Sequence, residues 1–191
     1  MTQPVRTLVW FRGKDLRLGD HQGLLQALSD GHDTVIPLFV LDPHFFTPER
    51  AAQFPHRMQF LLDSLHGLAH ALKELGSRLV LVRGRSVEIV PELVSRWRID
   101  RVYAHRWVAP LGRIRDQRIR DVIGARLQLV EGETLACPAS VRTKAGTPYG
   151  VFTPFAKRFR TEVCISADVA PPQSLPPLPS LPGVDDTLTV P

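Results

Sequence analysis

The stretch "LVWFRGKDLRLGDH", Leu8 to His21, carries the residues best suited to chemistry. An apolar run of strand character opens without a spacer onto Arg12, Lys14, Asp15, Arg17 and Asp20. Either these charges serve a ligand, or Arg12, Asp15 and Arg17 pair with one another and brace the loop. Other chemistries find little support. There is no GxGxxG and no GxxxxGK[ST], and Gly13 and Gly19 are too far apart for a dinucleotide turn. No GxSxG elbow supports a hydrolase. His44, His56 and His105 are scattered over expected loops and strand ends, which reads as surface or structural histidine rather than a metal cluster. No catalytic residue is assigned.

The elements that must position this loop follow an alternation. Residues 6–11, 33–42, 77–84, 100–106 and 125–132 read as short strands rich in β-branched and apolar residues. Between them lie helix-length segments. In 57–75, Leu61, Leu65, Leu68, Leu72 and Leu75 recur at steps of four and three, and Gly76 stops the helix. Ser86 reads as the N-cap of a helix carrying Val87, Val90, Val94 and Trp97. Ile119, Val122 and Ile123 are expected inward on a further helix, with Arg113, Arg115, Arg118 and Arg120 outward. Such alternation predicts a five-stranded parallel, doubly wound α/β sheet with helices on both faces, because parallel neighbours need crossovers. In such sheets ligands bind outside the carboxyl ends of the strands where strand order reverses. The first strand normally lies there, so residues 12–20 are expected at a binding site.

Composition sets the frame. The chain has 191 residues, 43% hydrophobic and 23% charged, enough to bury one sizeable core. Its net charge of +5 and pI near 9.8 lean towards polyanionic partners, although an arginine excess also suits a solvated surface. Cys137 and Cys164 have no CxxC or metal-ligand spacing and suit reduced thiols in the cytoplasm, the expected location. No segment approaches the roughly 20 apolar residues of a membrane span, and the N-terminus does not read as a signal peptide. After residue 135 the character changes. Phe152, Phe155 and Phe159, with Lys157, Arg158 and Arg160, form an amphipathic turn or two that either covers the sheet domain or belongs to an interface, including self-association. The closing "APPQSLPPLPSLPGVDDTLTVP" reads as an extended Pro-rich tail with too few large side chains for a core.

The segment "VWFRGKDLRLGDHQGLLQAL" resembles the opening of the photolyase/cryptochrome family, whose pattern is W-F-R-x-D-L-R followed by D-N and an apolar helix. The resemblance continues in order through "PLFVLDP" (37–43), "RMQFLLDSLHGLAHALKELGSRLVLVRG" (57–84), "VYAHRW" with "PLGRIRD" (102–116) and "GTPYGVFTPFAKRF" (146–159). Five collinear blocks cover about the first 160 residues.

The resemblance implies a Rossmann-like N-terminal domain over 1–135 that holds a light-harvesting antenna. A connection with the amphipathic segment follows over 136–165, then an interdomain linker over 166–191. A helical domain binding FAD and damaged DNA is expected beyond this chain. Parent activity would be light-driven repair of pyrimidine dimers in DNA; a cryptochrome-like blue-light sensor or a free-standing nucleotide-binding or interaction module are the alternatives. By position, Phe11, Arg12, Phe39, Asp42, Arg57, His105, Arg106 and Trp107 match antenna-pocket positions. Arg12 or Arg57 would meet a phosphate or polar ring edge, and Trp107 would stack. Asp42 would accept a ribityl hydroxyl or ring N–H, or serve only as a turn residue. Departures concern the same region. Gly13-Lys14 lengthens the loop by one residue, His21 replaces the usual asparagine, and the acidic residues common around Trp107, Ala109 and Leu111-Gly112 are missing. FMN, a folate and a deazaflavin stay open, as does an empty slot.

Overall fold

The computed structural model describes residues 5–31, 33–165, 169–185 and 188–191. Parts of the expected linker, 166–168 and 186–187, lie outside the described residues. Five strands, β1 (Arg6–Phe11), β2 (Thr34–Leu41), β3 (Val80–Arg83), β4 (Arg101–His105) and β5 (Leu127–Val130), form one all-parallel sheet in the order β3-β2-β1-β4-β5. The helices are α1 (Gln22–Ser29), α2 (Pro48–Gln53), α3 (Pro55–Glu74), α4 (Ser86–Arg96), α5 (Pro110–Ile123) and α6 (Phe152–Glu162).

Strand alternation sorts the core into two layers. Leu8, Trp10, Ile36, Leu38, Val102 and Ala104 pack with Val90, Leu93 and Val94 of α4 and Ile119 and Ile123 of α5. Their neighbours Val9, Phe11, Val35, Phe39 and Tyr103 point the other way, onto Leu24 of α1 and Leu65, Leu68 and Leu72 of α3. Every residue of β2 is buried, as expected of a strand with helices on both faces. Pro37 is tolerated inside it because pairing with β3 starts only at Leu38, leaving one side of the strand free there. Gly76 ends α3 at φ 82°, a left-handed backbone that glycine adopts without penalty.

Two helix faces differ from expectation. Val122 is 69% exposed, whereas Ile119 and Ile123 are buried. At 100° per residue, the inward stripe of α5 runs through Gly112, Asp116, Ile119 and Ile123 and leaves position 122 off it. Arg115, expected outward, flanks that stripe and is largely covered. Ser86 is the first helical residue of α4 rather than a side-chain N-cap.

The tail is extended, as expected, but it is not free of the core. Leu175 is buried in the α1/α3 layer, its N–H donating to the Leu75 carbonyl at 2.8 Å. Leu181 is buried in the α4/α5 layer, and Trp97 Nε1 donates to the Pro182 carbonyl at 3.0 Å. The leucines between the prolines supply the anchoring that composition alone undervalues. By contrast α6 has no buried residue; Phe155 meets Phe152 and Phe159 at ring distances of 6.4 and 5.9 Å instead.

Candidate functional site

β1 lies at the reversal of strand order, between β2 and β4, and its carboxyl end opens into a cleft of about 460 Å³. That volume suits a small organic ligand. One wall is apolar: Phe11 and Phe39 from the strand ends, Phe46, and Phe54, Met58 and Leu61 at the start of α3. Phe39 and Phe46 meet edge to face with centroids 5.8 Å apart. The lining also carries Arg12, Lys14, Arg50, Arg57 and Arg115, with Asp42 as its one carboxylate among the described residues.

Arg12 continues the alternation of β1 onto the α5 side, where a carboxylate awaits it. Its Nη1 donates to Asp116 Oδ1 at 2.8 Å and Oδ2 at 3.1 Å, both side chains being almost fully buried. Arg115 donates to the same Oδ1 from Nε and Nη2 at 3.1 and 2.9 Å. Two guanidiniums thus share one carboxylate, leaving a net positive wall. Both lie over indoles: Arg12 is 5.0 Å from Trp10 and 5.5 Å from Trp107, and Arg115 is 4.9 and 4.7 Å from the same rings. Cation–π attraction holds the stack together. A Cβ on Gly112 would come within 2.4 Å of Trp107, so only glycine lets that indole lie against α5. Burial lowers the pKa of Arg12, against the opposing pull of Asp116. Nε and Nη2 of Arg12 are buried without a hydrogen-bond partner among the described residues.

Asp42 has a different employment. Its Oδ2 accepts from Ser86 N at 2.9 Å and Ser86 Oγ at 2.7 Å, and its Oδ1 from His44 N at 3.0 Å. Burial pushes this carboxyl up, but those donors outweigh it and hold the pKa below the ordinary value. The residue therefore caps α4 from the end of β2.

Of the sequence-selected residues, Phe11, Arg12, Phe39, Asp42, Arg57 and Trp107 line this one cleft. His105 and Arg106 lie outside its lining. Arg106 is exposed and donates from Nε to Glu131 at 2.8 Å. His105 is buried beside Asp15, with Nδ1 3.2 Å from Oδ2, and stacks on His21 with centroids 4.3 Å apart. His21 Nδ1 accepts from Leu24 N at the start of α1. Burial, and then the neighbouring His105, push the His21 pKa down to about 3. Sequence reasoning reaches His21, the histidine most deeply built into the loop, only as a departure from a motif. On the α2–α3 wall it selects Arg57 but not Phe54 or Met58; it reads Arg115 as outward and leaves Asp116 without a role. A signal existed for Asp116: a carboxylate on the apolar face of a helix requires a buried cation.

Comparison with known proteins fits this geometry. The family model described as DNA photolyase matches residues 7–179. A deoxyribodipyrimidine photo-lyase of Thermus thermophilus is 36% identical over 189 residues, covering 96% of this chain and 41% of its own. Among solved structures, a bacterial class III photolyase from Agrobacterium tumefaciens superposes with a TM-score of 0.80 at 32% identity, covering 94% of this chain and 36% of its own. An archaeal photolyase from Sulfolobus tokodaii, described with two FAD molecules and a novel light-harvesting cofactor, gives a TM-score of 0.70 at 27% identity, over 89% of this chain and 38% of its own. The chain spans about two fifths of the length of these relatives.

Proposed function

This chain belongs to the DNA photolyase family, and from that premise we propose that it is the antenna-bearing part of a flavoprotein that repairs pyrimidine dimers in DNA by light. The observation that carries this reading is the cleft at the carboxyl end of β1. It offers an aromatic wall for a planar ring and cations for an anionic tail. These features fit a chromophore. Phe39 and Phe46 would pack against its ring, Arg12 would act through its charge from within the wall, and Arg50 and Arg57 would meet the tail. Trp107, clamped between Gly112 and the guanidiniums, would close one side against water. Once bound, the chromophore would absorb light and pass the excitation to a flavin held by the remainder of the parent.

The charge balance narrows the ligand. With Asp42 committed to Ser86 and His44, Arg12 and Arg115 sharing Asp116 and Lys14 paired with Glu133, Arg50 and Arg57 are the lining cations without an ion-pair partner among the described residues. Of the three candidates, FMN with its phosphate and a folate with its carboxylates suit such a wall. A deazaflavin would have to bring an anionic substituent of its own. The helical FAD-binding domain and, through it, DNA are the partners this reading requires.

The test is the absorption spectrum of the purified chain before and after incubation with FMN, a reduced folate and a deazaflavin. One ligand taken up stoichiometrically, with an affinity lowered about tenfold by Arg57→Ala, is the expected result. Failure of all three to bind would overturn the antenna reading and leave the domain a scaffold.

A further inference from the structure

Behind the cleft, on the α1 side of the sheet, a second cluster has no role in the reading above. Asp15 from the loop after β1, His21 at the entry to α1 and His105 at the end of β4 converge, each at most 3% exposed. One ligand-type atom from each lies within 4.8 Å of the others. Asp15 Oδ2, both ring nitrogens of His105 and His21 Nε2 are buried without a hydrogen-bond partner among the described residues. Although His105 Nδ1 is 3.2 Å from Asp15 Oδ2, the two are not aligned as a hydrogen bond. Four orphaned polar atoms in one buried spot require an explanation.

We infer that Asp15, His21 and His105 form a binding site for a divalent first-row transition ion of the zinc type. Two imidazoles and one carboxylate are a donor set such ions favour. The 3.2 Å between Asp15 Oδ2 and His105 Nδ1 is close to the spacing of neighbouring ligands in a tetrahedral shell, roughly 3.3 Å for bonds of about 2.0–2.1 Å. Asp15 is attracted to Arg12, yet no cation among the described residues contacts its Oδ2, whose near neighbours are imidazoles; the ion would be its direct partner.

The lone pair of His21 is available. Leu24 N–H, which donates to His21 Nδ1 at 3.0 Å, also donates to the His21 carbonyl at 2.9 Å. Turning the ring over therefore frees a nitrogen for the ion while the helix N-terminus keeps an acceptor. Coordination uses existing lone pairs and leaves each ring its one proton. Because Asp15 Oδ1 accepts from the Arg12 N–H, an ion on Oδ2 would pin the strand end that carries Arg12 and so stiffen the cleft wall.

The experiment uses the full chain, stripped with a chelator and dialysed, then titrated with Zn²⁺ by calorimetry and with Co²⁺ by visible absorption. Expected are one equivalent of metal, tetrahedral Co²⁺ bands and a higher melting temperature with Zn²⁺ than with chelator. His105→Asn should weaken binding at least 100-fold, and His44→Asn, on the exposed rim, should leave it unchanged. Should His105→Asn fail to fold, the Co²⁺ spectrum of the unaltered chain decides, since surface histidines give weak octahedral bands. No uptake at micromolar Zn²⁺, or uptake indifferent to His105→Asn, would overturn the site and leave a buried polar cluster solvated by water. The antenna reading is decided separately, by the chromophore titration.

Discussion

Arg12 shows how the wall of the cleft is held together. It is buried, shares Asp116 with Arg115 and rests on two indoles. Loss of Asp116 is therefore expected to be costly. Asp116→Ala strands two guanidiniums, one of them deeply buried, and should lower unfolding free energy by about 3–5 kcal/mol, read as a shifted urea midpoint with unchanged slope. His21 makes a second prediction at this scale. Its folded pKa of about 3 lies below the ordinary 6.5, so the unfolded chain binds the extra proton. For chelator-treated protein, stability should be full above about pH 6.5 and fall as pH drops towards 3, by up to about 1.4 kcal/mol per unit. Denaturant melts across that range check it, and His21→Asn should flatten the slope.

At the scale of elements, the cleft is where β1, β2, α3 and α5 meet, and each is fixed by a local device. Asp42 joins two elements by capping α4 from the end of β2 through Ser86. Asp42→Ala should cost about 1–2 kcal/mol in thermal or urea unfolding, as the loss of a helix cap does. Chromophore affinity should change less than twofold, because the carboxylate already has protein donors. A large loss of affinity with unchanged stability would instead make Asp42 a ligand contact. Gly112 is the corresponding device on α5, allowing Trp107 its place in the stack.

For the whole molecule, the Pro-rich tail behaves as a strap. Leu175 and Leu181 enter opposite core layers, so the tail crosses from one face of the sheet to the other. Leu181→Ala should destabilise the domain by roughly 2 kcal/mol and expose 169–185 to limited proteolysis; an unchanged digestion pattern would mean the strap is not held. The helix α6 is the opposite case. Phe152 is 75% exposed and α6 buries none of its residues, leaving an aromatic row open to a partner. Concentration-dependent sedimentation in the micromolar range, abolished by Phe152→Ser with Phe155→Ser, is the expected behaviour. A single monomeric boundary throughout would show that the row needs a different partner.

Periodicity and strand-end chemistry are legible in the sequence itself. The residues of β1 form a strand because they alternate between two buried faces, and the leucines of α3 mark its stripe because helix geometry repeats locally. From these the parallel sheet followed, and with it the position of Phe11, Arg12, Phe39 and Asp42 at its carboxyl end. What the sequence could not fix is pairing between positions distant along the chain. Arg12 meets Asp116, Asp42 meets Ser86, and Asp15 meets His105. Nothing in the local pattern of either partner names the other, because sheet order and helix crossing bring them together. Histidines that read as scattered along the chain hide the same limit, since His105 finds its neighbour His21 only through the sheet. Tertiary structure alone decided which charges face the cleft, which are spent on each other, and which lie buried behind it.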